Sequence, residues 1–190
     1  MSKGRRRRVM IIGAGGIGSY LIPLLDKTMV YDMTVMDPDN VEKKNLTYQN
    51  FKEKENGMNK ASVMNWNYDS VKHFSPYPVL TEKQIKSFDL VICCADNLDV
   101  RRLLYRSNVA WLDLRAQGRF CAFISFRADK IKHDTLLAGP EGSFSCQGNS
   151  WDGSTAAQHF SHVIAAGMGA EWIHRYFVKD DVADFKVVNV

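Results

Sequence analysis

The chain has 190 residues, 45% of them hydrophobic and 24% charged, which is enough to bury one sizeable core and far from the composition of a disordered chain. A single domain over 1–190 is expected. The formal charge of +4 sits largely in one run, Arg5 to Arg8, so the folded body is near neutral and a nucleic-acid partner gains little support.

The apolar stretch after that run, Val9 to Ile12, is too short for a signal peptide or a membrane span and ends at a glycine. A soluble, cytoplasmic protein is the expectation, with no membrane partner. The four cysteines, at 93, 94, 121 and 146, form no CxxC pair, which fits a reducing compartment better than a disulfide scaffold. The sequon Asn45-Leu46-Thr47 then carries no glycosylation meaning.

In chain order, residues 1–8 read as a basic tail and Val9 to Ile12 as a buried strand. The segment Ile17 to Leu25 has helical spacing. Met33 to Met36 is a second strand, Leu90 to Cys94 a third, and Ala110 to Leu114 another. Between them, Met58 to Val71 and Leu98 to Asn108 have helical character, the alternation of a parallel, doubly wound α/β sheet. Phe120 to Phe126 reads as a strand able to pair antiparallel, and 134–154, rich in Gly, Ser and Pro, as a long mobile loop. His159 to Phe177 returns to helical periodicity, with Gly167 and Gly169 expected to allow close approach to the sheet. Phe185 to Val190 reads as a last edge strand.

Gly13-Ala14-Gly15-Gly16-Ile17-Gly18 follows a strand and opens a helix, the context in which a glycine turn brings backbone amides and a helix N-terminus to an anion. Asp37, about 20 residues on at the end of the second strand, suits ribose hydroxyls. Both ATP and NAD meet these requirements.

The residues beyond Asp37 discriminate. Asp37-Pro38-Asp39 followed by Asn45-Leu46-Thr47-Tyr48-Gln49, then Gly57-Met58-Asn59-Lys60-Ala61, Ala95-Asp96-Asn97 with Arg101, and Ala165 to Glu171 occur in order. In this the sequence resembles the ThiF/MoeB/ubiquitin-activating enzyme family over nearly the whole chain, although the chain is shorter than typical members. The resemblance implies a Rossmann-like sheet, mostly parallel with antiparallel strands in the C-terminal half. It also implies ATP and Mg2+, and adenylation of the C-terminal carboxylate of a ubiquitin-like or sulfur-carrier protein ending in a glycine motif. Gly13, Gly15, Gly16, Gly18, Asp37, Asp39, Asn45, Gln49, Lys60, Asp96 and Asn97 would hold the nucleotide. Asn45, Lys60, Asp96 and Arg101 would serve the chemistry, with Lys60 on phosphates and Asp96 on magnesium. A homodimer is the family habit. The physical reading agrees, since a lysine and a metal-holding carboxylate suit phosphoanhydride cleavage and hydride transfer needs neither.

The sequence departs from the family pattern at Tyr48, where an arginine faces the triphosphate. Losing one preorganised catalytic donor typically costs ~10²–10³ in rate. Arg5 to Arg8, Arg101, Arg115 and Arg119 are the available replacement cations, the first group also readable as a solvated tail. An NAD(P)-dependent oxidoreductase and a nucleotide-binding scaffold without turnover remain as alternatives. Cys146, in the expected loop, is a candidate thioester cysteine or an inert thiol. His159 and His162 are packing or surface residues, with a zinc site together with Cys146 as the weaker reading.

Overall fold

The computed structural model describes residues 5–79, 81–137, 146–147 and 158–190. The elements run β1 (Arg7–Ile12), α1 (Gly18–Asp26), β2 (Tyr31–Met36), two 3-10 turns at Lys43–Thr47 and Glu53–Glu55, α2 (Lys60–Asn67) and β3 (Val71–Ser75). They continue with α3 (Glu82–Ile85), β4 (Leu90–Cys93), α4 (Leu98–Arg106), β5 (Trp111–Gln117), β6 (Phe120–Ser125), α5 (Lys130–Leu137), α6 (Ser161–Phe177) and β7 (Phe185–Asn189).

The strands form one seven-stranded sheet in the order β3-β2-β1-β4-β5-β6-β7. From β3 to β5 all pairings are parallel; β6 and β7 join antiparallel. Alternation of side chains along β1 divides the core. Val9 and Ile11 meet Leu21, Ile22 and Leu25 of α1, Ala61 and Met64 of α2, and Ala165, Ala166 and Ile173 of α6. Met10 and Ile12 meet Ile85 of α3 and Val100 and Leu104 of α4 on the opposite face. Both faces of the parallel strands are thereby covered, which is why β1 and β4 read as unbroken apolar runs.

Chain order reverses between β1 and β4, and at that switch point the turn after β1 lies against the turn after β4. Gly13 has φ +94°, and a Cβ on it would sit 2.8 Å from the Ala95 nitrogen. A Cβ on Gly18 would overlap the Gly13 carbonyl oxygen. These two glycines are therefore required by backbone packing alone. In α1, Pro23 offers no N–H to the Ser19 carbonyl one turn back. That carbonyl accepts from Asn50 Nδ2 at 3.2 Å instead, while Ser19 Oγ accepts the Asn50 N–H at 3.0 Å.

Several expectations change. The first strand starts at Arg7, inside the segment read as a tail. The helix expected over Met58 to Val71 ends at Asn67, and Val71 opens β3, an edge strand the sequence reading missed. Asp134 to Leu137 continues α5; the rest of the expected loop lies outside the described residues except for Cys146 and Gln147. His159 precedes α6. Of the two glycines in α6 only Gly169 makes a close approach to a described residue, with its Cβ position 2.5 Å from Leu114 Cδ1, whereas nothing among the described residues lies within 4 Å of the corresponding position on Gly167. No helix among the described residues is long and apolar enough to cross a membrane.

Gly167→Ala should accordingly stabilise the protein by up to ~1 kcal/mol through helix propensity. Gly169→Ala should destabilise it by ~1–3 kcal/mol through overpacking on Leu114. Urea unfolding of the two variants beside the native chain checks both signs; equal effects would refute the difference drawn between them.

Candidate nucleotide site

A crevice of 1210 Å³ opens outside the carboxyl ends of β1, β2, β4 and β5. Gly13, Gly15, Gly16, Asp37, Asp39, Asn45, Gln49, Lys60, Asp96, Asn97, Arg101 and Cys146 all line it. Gly18, the remaining residue singled out in the sequence, lies behind the turn, where it admits the helix to the strand.

Each wall has its own anchoring. Asp37 is buried and accepts two backbone N–H groups, from Ala14 at 2.6 Å and from Asp39 at 2.8 Å, so its carboxylate ties the end of β2 to the glycine turn. Burial pushes the Asp37 carboxyl pKa above its ordinary value, against the lowering effect of those two N–H donors. Gly15 faces the crevice, and among the described residues only the Gln49 amide comes within 4 Å of the place its Cβ would take. Bare backbone therefore lines this part of the crevice, as anion binding at a glycine turn requires.

Lys60 is the first residue of α2 and is buried, with Nζ 3.3 Å from Asp39 Oδ2. The Asp39 side chain is 68% exposed, so an anion could take the ammonium over while Asp39 turns to water. Asn97 caps α4, its Oδ1 accepting from Asp99 N at 2.9 Å and Val100 N at 3.1 Å.

Asp96 Oδ1 accepts from Arg101 Nη1 at 2.9 Å. Arg101 continues inward to Asp113, 3.3 Å from Nε to Oδ2. The fully buried Asp113 also accepts from Tyr105 Oη at 2.8 Å and from Arg115 Nη2 at 2.8 Å. Two carboxylates and two guanidiniums thus cancel. Arg101 and Arg115 are engaged with internal carboxylates, and their charge toward a ligand is largely offset. Asp113 and Tyr105 were not found by sequence reasoning. The available signal was a lone aspartate within the apolar run Trp111-Leu112-Asp113-Leu114.

The basic run lies at the other end of the sheet. Arg5 pairs with Asp89, Arg6 with Asp32, and the Arg7 guanidinium sits 5.5 Å from the Phe177 ring centroid. The run precedes or opens β1, whereas the crevice is at the carboxyl ends, so it supplies no cation to this chain's own crevice. It is also not a tail without fixed contacts.

Cys146 is half-buried beside the glycine turn, with its Sγ 2.5 Å from the place a Gly16 Cβ would occupy, and so is not the exposed loop thiol expected from composition. Burial pushes its pKa up to about 12, which keeps it a thiol at neutral pH. Gln147 next to it brackets the start of α6, accepting from His159 N at 2.7 Å and donating to His159 O at 2.9 Å. Buried His162 donates from Nε2 to the Tyr48 carbonyl at 2.8 Å, with Nδ1 3.4 Å from Gln147 Nε2. His162 thus serves packing, and no group of three His, Cys, Asp or Glu among the described residues could hold a metal ion, which removes the zinc reading for them.

Fold and site together define a doubly wound α/β domain with a glycine turn at its switch point, the architecture of nucleotide-binding domains. The ThiF family profile matches residues 1–111, more than half of the chain, and the protein belongs to the ThiF family. Among solved structures it is similar to E. coli MccB solved with MccA, at a TM-score of 0.68 and 17% identity, covering 98% of this chain and 64% of that one. MccB solved with ATP gives a TM-score of 0.67 at 17% identity, with 98% and 64% covered. PaaA gives 0.72 at 13% identity, with 99% and 62% covered. At these identities the likeness is one of fold, and the chain spans less than two thirds of the length of these relatives. No curated protein matches the chain.

Burial lowers the His162 pKa below its ordinary 6.5. The unfolded chain then takes up the proton first, so the stability from neutral His162 is complete above that value. It is lost as pH falls through 6.5 toward the folded pKa, at no more than ~1.4 kcal/mol per pH unit. Melting curves between neutral and mildly acidic pH should show a smaller acid loss for His162→Gln than for the native chain. Asp113→Ala should cost ~3–5 kcal/mol by leaving Arg101 buried with reduced compensation; denaturant titration measures it, and a loss below ~1 kcal/mol would refute the role given to Asp113.

Proposed function

We propose that the protein is an ATP-dependent adenylyltransferase that activates the C-terminal carboxylate of a peptide or small carrier protein, of the ubiquitin-like or sulfur-carrier kind ending in a glycine motif. The observation that carries this reading is the convergence of the glycine turn, Asp37, buried Lys60 and Asp96 on one crevice. In the reaction a carboxylate oxygen attacks the α-phosphorus, the bond to the β-phosphate breaks, and an acyl-adenylate and pyrophosphate form. Negative charge grows on phosphate oxygens, where backbone N–H groups of the glycine turn and the Lys60 ammonium oppose it. Asp37 would receive ribose hydroxyls.

The donor set at Asp96 is a single carboxylate at the crevice, already bonded to Arg101 through Oδ1. It fits magnesium that arrives on phosphate oxygens with one or two protein carboxylates beneath it, and does not fit an all-protein cage. Magnesium held there would neutralise phosphate charge. The crevice continues from Arg115 past Ala116 and Ala122 to Phe120 and Val187, the last two more than half exposed, a shelf suited to an extended peptide tail. The peptide partner is also suggested by MccB, solved in complex with MccA. A homodimer belongs to this reading on the family resemblance. Tyr48, in place of the motif arginine, favours one second reading, a nucleotide-binding scaffold without turnover.

The test is pyrophosphate exchange into ATP, dependent on magnesium and on a carrier protein or peptide with a free C-terminal carboxylate. Exchange should be present in the native chain and fall by ~10²–10³ in Lys60→Ala and in Asp96→Asn. Calorimetric binding of NADH in preference to ATP-magnesium would overturn the assignment. ATP binding without exchange for any carrier, together with no gain on Tyr48→Arg, would favour the scaffold.

A further inference from the structure

The lip of the crevice carries a cation that the sequence reading did not single out. A 3-10 turn repeats every three residues, so in Lys43–Thr47 the residues Lys44 and Thr47 stand on one side, where the Thr47 hydroxyl donates to the Lys44 carbonyl at 3.0 Å. That side lines the crevice, together with Glu42, Asn45 and Tyr48. Leu46 packs against the core instead, and the exposed Lys43 is not part of the crevice lining.

The distribution of charge sets Lys44 apart. Among the described residues four basic side chains line the crevice, those of Lys44, Lys60, Arg101 and Arg115. Both guanidiniums are held by the buried Asp113, and Arg101 by Asp96 as well. Lys60 is buried and paired with Asp39. Lys44 Nζ lies 2.7 Å from Glu42 Oε2, and these two side chains are 72% and 57% exposed. An ion pair so exposed is screened by water and holds little net energy, so a stronger anion can displace its carboxylate at small cost. The pair also acts on the wall that holds Lys60. Glu42 chiefly, and Tyr48 and Asp39 in smaller part, hold the Lys44 pKa above its ordinary value, while Lys44 and to a lesser degree Lys60 lower that of Glu42.

We propose that Lys44 is a second phosphate-binding cation of the crevice, which leaves Glu42 for the phosphate chain of the bound nucleotide; this rests on the nucleotide-binding part of the function proposed above. The phosphate chain carries more negative charge than one carboxylate and so draws the ammonium away from it. The exchange is a swing of one flexible lysine stem, with the backbone of the 3-10 turn left in place. Lys60 meets the chain from the start of α2 and Lys44 meets it from the lip, on the opposite side from the two guanidiniums spent on Asp113. Glu42 is left in water, where an exposed carboxylate needs no protein partner. Lys44 therefore contributes to the binding of phosphorylated nucleotides and nothing to that of the nucleoside.

Calorimetry with ATP-magnesium and with adenosine tests this on the native chain, Lys44→Gln, Lys44→Arg, Lys43→Gln, Glu42→Gln and the double variant of Lys44→Gln with Glu42→Gln. Lys44→Gln should weaken ATP by about five- to tenfold, the size of one partly screened charge contact, and leave adenosine unchanged. Its ATP affinity should also fall less steeply with salt than that of the native chain. Lys44→Arg keeps the charge and should keep the affinity. Lys43→Gln removes an equal charge from the same turn but outside the crevice, and should change ATP binding by less than about twofold, as expected for a screened, distant charge. Glu42→Gln should tighten ATP in the native chain and do so less in the Lys44→Gln background, because Glu42 acts by holding Lys44. Unchanged ATP affinity in Lys44→Gln, an equal loss in Lys43→Gln, or equal weakening of adenosine overturns the proposal while leaving the nucleotide site intact. Failure of the native chain to bind ATP overturns both.

Discussion

The carboxylate of Asp37 is the constraint on which the crevice depends. It gives one oxygen to the Ala14 N–H and the other to the Asp39 N–H, and so joins the end of β2 to the turn that follows β1. Neighbouring strands of a twisted sheet are rotated relative to one another, and here hydrogen bonds between successive turns tie the carboxyl ends of β1 and β2 together. From that junction the rest follows in sequence order. Asp39 holds Lys60 at the start of α2, and Asn59 Nδ2 donates to the carbonyls of Asp37 at 2.9 Å and Asp39 at 3.1 Å. A residue that reads in the sequence as a ribose ligand is thus, in the structure, a fastening of the scaffold.

On the far side of the switch point the wall is held by charge. Asp113 is buried without exposure, and the cost of burying a carboxylate is offset only because Arg101, Arg115 and Tyr105 all donate to it. The consequence reaches the crevice through Arg101, whose other end fixes Asp96. Compared with an apolar core this arrangement adds little stability, but it sets the direction of a side chain that lines the crevice, which apolar packing does less sharply.

How much of this was legible depended on whether a feature had a local signature. The glycine turn, β1, β2, β4 and the helices α1 and α4 were readable because apolar runs and glycine spacing follow from their own burial. β3 was not, because an edge strand with Lys72 and His73 exposed carries no alternation, and α3 is only Glu82–Ile85. Gly167 and Gly169 look alike in sequence, yet only a neighbouring side chain, Leu114, distinguishes them. Cys146 failed for the same reason. A glycine- and serine-rich setting implies exposure, whereas the bracket that Gln147 makes around His159 brings the thiol in under the glycine turn. The positions of Asp39, Lys60 and Asp96 were legible, but only through the order of several motifs, since each alone is an ordinary surface or capping residue.

The turn from Lys43 to Gln49 shows why such motifs keep their spacing even where one member changes. A 3-10 turn of five residues has poor hydrogen-bond geometry and does not hold itself. Here Asn45 Oδ1 accepts the Glu42 N–H at 3.0 Å, closing the turn from within, while Gln158 and His162 hold it from outside and Ser19 holds the next residue, Asn50. Asn45 is therefore spent on the fold at one end of its amide and on Tyr48 at the other. An arginine at position 48 would bring a guanidinium with donors only, and the Asn45 and Gln49 N–H groups would then face donors rather than an acceptor. Tyrosine supplies the acceptor, so the neutral residue and the orientation of its two amide neighbours belong to a single hydrogen-bonding solution, and none of the three is independent of the others.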